Sequence, residues 1–310
     1  MRIGIIGRGE WTFLSMIALY KAGYNISFIV TAKEAPEYKF KAVDFEKFAN
    51  ENNIPFLNYA KINKQKLLQL CNNLPEIVIS VNYSGIIEKE VIDLFPIGIL
   101  NAHGGDLPKY RGNACQAWAI INGEEKIGLC IHKMIGGELD SGPIITRSYF
   151  PLSENTRIGE VYDWMESEIP KLMQQAVECL ILNPEFVLEV QSTDPKDALR
   201  CYPRKPEDGK IDWTKSAIEI LRLINASSEP FSGAYTFLEN QLIRIWRAEL
   251  YIDEEIYLAI PGQVSEILPN GEVIIISGNG KLIIKEISLD NYFERILPSY
   301  FIKSIRKRLN

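Results

Sequence analysis

Arg2-Ile-Gly-Ile-Ile-Gly7-Arg8-Gly9-Glu-Trp-Thr12 stands at the head of the sequence. A short apolar run that ends in closely spaced glycines suits a buried parallel strand that turns tightly into a helix. The blocks that follow repeat the alternation. Residues 13–22 read as a helix and 25–30 as a strand. Residues 42–52 read as a helix with Val43, Phe45, Phe48 and Ala49 on its apolar side. Helix 64–72, strand 77–81, helix 86–94 and strand 98–102 continue the series. Residues 128–134 are strand-like. Residues 158–182 form a long helix that the pattern interrupts near Pro170, where a backbone donor is missing. The β-α-β-α order predicts an α/β N-terminal domain, a parallel sheet with helices on both faces.

Composition shifts after Leu182: residues 183–210 hold four prolines and many charges. This marks a linker, with domains expected at 1–200 and 201–310. Beyond it, residues 214–226 read as an amphipathic helix, and 242–248, 264–268, 273–277 and 282–287 as short strands. Pro269-Asn270-Gly271 and Gly278-Asn279-Gly280 separate the last three. Asn-Gly favours a type I′ hairpin turn, so the C-terminal domain is expected to be a small β-barrel.

The chain has 310 residues, 46% apolar and 24% charged, which suits a globular protein with a sizeable core. Only two histidines occur, His103 and His132, so a metal site built on imidazoles is not expected. Cys71, Cys115, Cys130, Cys179 and Cys201 are odd in number and show no C-x-x-C. They read as reduced, buried thiols of a cytoplasmic protein. No apolar run is long enough for a membrane span or a secretory leader. The net charge of −6 argues against a bulk nucleic-acid binder.

Three stretches can carry chemistry. Gly7-x-Gly9 lacks the third glycine of a dinucleotide fingerprint, because Thr12 stands in its place. The loop is either a plain strand-to-helix turn or a set of helix N-terminal amides facing a phosphate. In the second case Gly9, Glu10 and Trp11 would meet substrate. Asn101-Ala-His103-Gly-Gly-Asp-Leu-Pro-Lys109-Tyr-Arg111-Gly112 begins where a buried strand ends. Asn101 and His103 are two apart, so both side chains face one side of that strand. An amide and an imidazole converging there could hold a carbonyl oxygen and move a proton, although a structural histidine fits the spacing too. Gly136-Gly-Glu138-Leu139-Asp140-Ser-Gly142 places a carboxylate in a tight loop. That acid either orients the imidazole or caps a turn. His132, inside an apolar run, reads as a core residue, and the basic stretch 303–308 as a solvated chain end.

On these residues the chain resembles the folate-dependent formyltransferases. Their pattern Asn-x-His-x-Ser-Leu-Leu-Pro-x-x-x-Gly is matched by Asn101, His103, Leu107, Pro108 and Gly112. Their Leu-Asp-x-Gly loop is matched by Leu139, Asp140 and Gly142. Ile120-Ile-Asn-Gly-Glu124, Ile211-Asp-Trp213 and Ala226-Ser-Ser-Glu-Pro230 extend the likeness over nearly the whole length. One departure stands beside the site: Gly105-Asp106 replaces Ser-Leu. The resemblance implies a Rossmann-like N-terminal domain, an OB-like C-terminal barrel and N10-formyltetrahydrofolate as co-substrate. It also implies amine attack on the formyl carbonyl. Asn101 and His103 would stabilise the oxyanion, with His103 relaying a proton and Asp140 orienting it. By the same resemblance Asn82, Tyr83, Ser84, Gly85, Ile86 and Ile87, with the backbone of Glu138, Leu139 and Asp140, would hold the folate.

Two acceptors fit the family, and the sequence favours a nucleotide-linked amino sugar. The pI is acidic, Gly9 to Trp11 could face a phosphate and a base, and Lys109 and Arg111 lie near the motif. Tyr38-Lys-Phe-Lys-Ala-Val-Asp-Phe45 resembles the sugar-modifying branch. Methionyl-tRNA is the second acceptor, and a non-catalytic nucleotide-binding protein is the reading from another class. A homodimer is compatible with the sequence.

Overall fold

The computed structural model describes residues 1–36, 38–290 and 294–310. They form two compact units, each built from three stretches of chain. The first comprises 1–115, 127–150 and 162–201; the second comprises 116–126, 151–161 and 202–310. The last junction falls between Cys201 and Tyr202. The units are not contiguous in sequence, because two short stretches of the N-terminal half belong to the second.

The elements of the first half are β1 (Arg2–Gly7), α1 (Gly9–Lys21), β2 (Asn25–Thr31), α2 (Ala42–Glu51), β3 (Phe56–Asn58), α3 (Lys64–Leu70), β4 (Ile77–Val81), α4 (Lys89–Ile92), β5 (Gly98–His103) and β6 (Arg111–Gly112). Then follow α5 (Cys115–Asn122), β7 (Lys126–Lys133), β8 (Ile144–Pro151), α6 (Ile158–Leu182) and β9 (Arg200–Cys201). One seven-stranded sheet runs β3-β2-β1-β4-β5-β7-β8. It is parallel from β3 to β5, and β7 then lies antiparallel to β5. The strands are apolar because both faces are covered: Ile6, Phe28, Val30, Val78 and Ile99 join Leu67, Val91 and Phe95 in one buried cluster. Each such side chain contributes about 1.5–3 kcal/mol by leaving water. The order of connection reverses between β1 and β4, and the crevice outside the C-terminal ends of such strands is where open α/β sheets bind ligands.

The local reading needs three adjustments. Helix α1 starts at Gly9, directly after the strand, four residues before the expected 13. Thr12, standing at the third fingerprint position, packs on Gly7, and its Oγ1 donates to Val81 O at 2.7 Å, which ties the turn to β4. Helix α6 runs unbroken through Pro170, so one missing donor costs less than the burial of Ile169, Leu172 and Met173 on its inner side gains. Residues 86–94 hold only the single turn α4.

The second unit carries α7 (Ala217–Ser227), β10 (Ala234–Leu238), β11 (Gln241–Tyr251), β12 (Val264–Ile267), β13 (Val273–Ile276) and β14 (Lys281–Leu289). Ser216 caps α7 through a capping box with Glu219. The five strands form an antiparallel sheet ordered β10-β11-β14-β13-β12. The Asn-Gly turns are not type I′. Gly271 and Gly280 have positive φ, but Asn270 and Asn279 are not among the positive-φ residues. Pro269 locks a negative φ where type I′ needs a positive one, so Leu268–Gly271 closes as a turn with glycine in the last place.

The basic tail is not a free end. Phe237 and Asn310 exchange backbone hydrogen bonds at 2.9 Å, Leu309 N donates to Gly262 O at 2.8 Å, and Val264 N donates to Lys307 O at 3.2 Å. Residues 307–310 thereby bridge the two edge strands β10 and β12, and Leu309 is buried in the core of the unit. Edge strands left bare are an aggregation liability that such a bridge removes. Among the described residues no helix is long and apolar enough to cross a membrane. Leu309→Ala is expected to cost about 2–4 kcal/mol, the usual range for emptying a buried leucine site. Urea unfolding of the variant would measure it, and a cost below about 1 kcal/mol would mean that the tail does not close the sheet.

Candidate active site

Strand β5 ends the parallel part of the sheet with Asn101 and His103 facing the same side, as the spacing of two requires. The antiparallel register of β5 with β7 sets His132 opposite Asn101. The loop after β7 brings in Asp140 in the left-handed region, with φ 49°. Four polar side chains therefore converge: Asn101, His103, His132 and Asp140.

The Asp140 carboxylate lies between the two rings. Its Oδ2 is 3.5 Å from His103 Nδ1 and accepts the Gly112 amide at 2.9 Å; its Oδ1 is 3.5 Å from His132 Nε2. His103 Nε2 donates to Tyr110 O at 2.6 Å, which leaves Nδ1 toward the carboxylate. The cluster is 7% exposed at His103 and 1% at His132. Burial pushes the His103 imidazole below its usual pKa, and the attraction of Asp140 offsets this only in part. Burial alone would raise Asp140, but His103, His132 and the Gly112 amide together hold it well below the usual carboxylate range. At neutral pH the pair is thus a neutral imidazole beside an ionised acid.

His132 is buried, as a core residue would be, yet it sits inside the polar cluster. Its Nδ1 lies 3.0 Å from Lys133 O, an acceptor, so Nδ1 carries a proton. In the neutral ring Nε2 then accepts from Asn101 Nδ2 at 3.1 Å. That bond fixes which way the Asn101 amide faces and leaves its second Nδ2 proton for a ligand. The sequence signal was weak, because the β5–β7 register that puts His132 across from Asn101 is a long-range property.

The departure at 105–106 has a local cause. A Cβ on Gly105 would collide with Tyr110 O and with the His103 ring, so a serine there is incompatible with the His103–Tyr110 bond as it stands. Asp106 forms an ion pair with Arg147, which also pairs with Glu189 at 3.0 Å and donates to Leu107 O at 2.8 Å.

The other expected site residues distribute unevenly. Tyr83 donates to Tyr59 O at 2.6 Å and Ile87 is buried, so these two anchor the 82–87 loop. Asn82 has φ 54° and its carbonyl accepts from Arg8 Nε at 2.7 Å. Ser84 and Ile86 stand out, Ile86 at 86% exposed, and Gly85 is half-buried. Gly136 packs on Lys89, which brings the 135–140 loop, with exposed Glu138 and Leu139, beside this one. The Gly9–Trp11 expectation needs correction. Tyr38 covers Gly9, Glu10 accepts the Lys39 amide at 3.1 Å, and Trp11 is 7% exposed with its ring at 74° to Tyr162. Packing has taken up the ring that was expected to stack on a base. Lys109 is exposed and lines a cleft of about 480 Å³ with Asp106, Arg147, Tyr149 and Lys196. Arg111 is half-buried and donates to Gln191 Oε1 at 2.8 Å, a partner with no sequence signal.

The model of the formyl transferase family matches residues 1–177, and that of the formyl transferase C-terminal domain matches 204–292. The chain belongs to the formyl transferase family. Its enzymatic class is that of the folate-dependent N-formyltransferases. The methionyl-tRNA formyltransferase of Desulforamulus reducens is 31% identical over 93% of this chain and 90% of its own length. Among solved structures, a sugar 3N-formyl transferase with dTDP and 5-N-formyl-THF covers 94% of this chain and 99% of its own, at TM-score 0.68 and 21% identity. The N-formyltransferase of Helicobacter canadensis, with folinic acid and dTDP-3-aminofucose, covers 91% and 98%, at TM-score 0.68 and 19% identity. At these identities the two structures speak for the fold of this formyltransferase.

Neutral burial of His103 has a consequence for stability. The unfolded chain protonates His103 below pH ~6.5 while the folded chain resists, so stability falls as pH drops through that value. The depressed Asp140 adds a second loss below pH ~4, where the unfolded carboxyl takes up its proton. His103→Gln is expected to flatten the decline in Tm between pH 7 and 5 relative to the unmodified protein. An unchanged slope in a thermal-melt series would refute the buried neutral state.

Proposed function

We propose that this enzyme transfers the formyl group of N10-formyltetrahydrofolate to the amine of a nucleotide-linked amino sugar. The observation that carries the choice of acceptor is charge. Residues 201–310 hold 14 Lys and Arg against 15 Asp and Glu, so the C-terminal domain offers no net cationic field to a tRNA backbone.

The folate fits the two adjacent loops. Ile86 and Leu139 expose apolar side chains, 86% and 43%, beside the backbone of 138–140, whose amides and carbonyls can pair with a pterin edge. Bound formyl-folate supplies an activated formyl group. The free Nδ2 proton of Asn101 donates to the formyl oxygen as negative charge develops there, and buried placement strengthens that bond. His103 takes the proton of the incoming amine at Nδ1, where the ionised Asp140 stabilises the imidazolium, and returns it to the folate N10 as the bond from N10 to the formyl carbon breaks. Gly112 and His132 keep the carboxylate and the amide in position. Lys109, exposed beside the motif, is available to the acceptor's phosphates.

The second reading, transfer to methionyl-tRNA, is favoured by identity along nearly the full length to relatives of that name. The two separate in one assay. Formyl-folate, the enzyme and a panel of UDP-, dTDP- and GDP-linked amino sugars should give an N-formyl sugar, and charged initiator tRNA should give no product. Formylation of the tRNA alone would overturn the proposal. Asn101→Ala and His103→Ala should each lower kcat about 100- to 1,000-fold, the scale for loss of an oxyanion donor or a proton carrier. Activity retained in both would remove them from the chemistry.

A further inference from the structure

We propose that Gln191 is the positioning residue that holds Asp140 against His103, an inference that rests on the roles given to those two residues above. Gln191 is 5% exposed. Its Nε2 donates to Asp140 O at 2.8 Å and to Gly142 O at 2.7 Å, while its Oε1 accepts from Arg111 Nη2 at 2.8 Å. Carbonyls only accept and a guanidinium only donates, so the amide has a single orientation and both its ends are engaged.

The loop needs such a clamp. Residues 136–142 include Gly136, Gly137 and Gly142, and Asp140 itself lies at φ 49°, where a residue with a Cβ persists only when its surroundings over-determine it. Gly112 and the two histidines address the carboxylate oxygens. Gln191 addresses the main chain from which that carboxylate springs. Its anchor Arg111 immediately precedes Gly112, whose amide donates to Asp140 Oδ2. One buried amide therefore fixes two loops relative to each other, and both loops end on the same carboxylate. Gln191 touches no reacting atom in this arrangement. It acts through Asp140, by setting the distance between Oδ2 and His103 Nδ1.

With two histidines in the chain, both rings are individually observable by NMR. Ring ¹⁵N shifts at pH 7 would be recorded on the ligand-free, full-length protein, with His132→Gln for assignment and Asp140→Asn as the reference for a lost partner. Gln191→Met keeps the size and removes every hydrogen bond; Gln191→Glu keeps an acceptor for Arg111 and turns oxygens toward two carbonyls. In both, the His103 Nδ1 signal should move toward that of Asp140→Asn. Per folded molecule, kcat should fall about 10- to 100-fold with both KM values within about twofold, the signature of lost alignment. If neither folds, Arg111→Met, which leaves residue 191 in place, should move the His103 signal the same way by less. A His103 signal at its original position in the folded variants, with kcat unchanged per folded molecule, would overturn the proposal. The NMR measurement contains no substrate, so an error in the assigned acceptor or chemistry would leave it readable and show itself only in the assay.

Discussion

A buried, ionised carboxylate is the constraint around which the first unit is arranged. Moving Asp140 out of water costs several kcal/mol unless partners offset it. Here the Gly112 amide donates to one oxygen, and each oxygen lies 3.5 Å from an imidazole nitrogen. These groups come from separate places: His103 ends β5, His132 lies on β7, and Gly112 closes the loop beyond Pro108. The antiparallel register of β7 on β5, which sets His132 opposite Asn101, brings the two histidines to one carboxylate. The switch from parallel to antiparallel pairing after β5 is thus what turns a nucleotide-binding type of sheet into this site.

The same constraint separates what the sequence reveals from what it hides. Strand periodicity put Asn101 and His103 on one face, because a spacing of two survives any tertiary arrangement. Their relation to Asp140, 37 residues after His103, came from motif resemblance, since no local rule joins a strand end to a distant loop. His132 read as core because burial and catalysis both ask for an apolar surrounding, and the register that distinguishes them is a long-range property. Gln191 had no signal at all: its partners are 51 and 80 residues away, and a glutamine near a proline-rich linker looks like surface. Trp11 failed in the opposite sense. Its position after Gly9 suggested an open ring, but Tyr162 of α6 packs against it, and helix-to-helix packing is not written in an eleven-residue window. In the second unit the Asn-Gly pairs marked the turns correctly in place, while Pro269 decided their type.

Gly105 and Asp106 show how a local departure can leave the chemistry intact. The space for a side chain at 105 is occupied by the His103 ring and Tyr110 O, which trades a hydroxyl for a 2.6 Å hydrogen bond that fixes the imidazole. Asp106 then brings a charge to a position the family fills with an apolar group. Arg147 meets it with a side chain only 10% exposed and adds Glu189 and Leu107 O. Arg147 depends on these acceptors and Asp106 is one of them, so the two positions are coupled. The loop from 105 to 112 is therefore held at one end by Arg147 and at the other by Arg111 through Gln191.

Charge in the second unit bears on the acceptor more sharply than the total for the chain. Some of its cations are committed inside the unit. Arg157 and Arg295 both pair with Glu229, Lys281 with Asp253 and Glu255, Lys285 with Glu249, Arg247 with Glu286, and Lys307 with Glu239. A tRNA backbone gains affinity when cations replace its counterions, and cations already neutralised by carboxylates supply little of that gain. Lys307 is instructive, because the basic tail that could have reached for a polynucleotide is bonded between two edge strands. A small nucleotide-linked amine needs no such surface. It needs an amine brought to Asn101 and His103 and a few cations for two phosphates, and exposed Lys109 beside the motif is of that scale. The buried, neutral imidazole of the first unit serves formyl transfer to either acceptor, so the charges of the second unit are what bear on the choice between them.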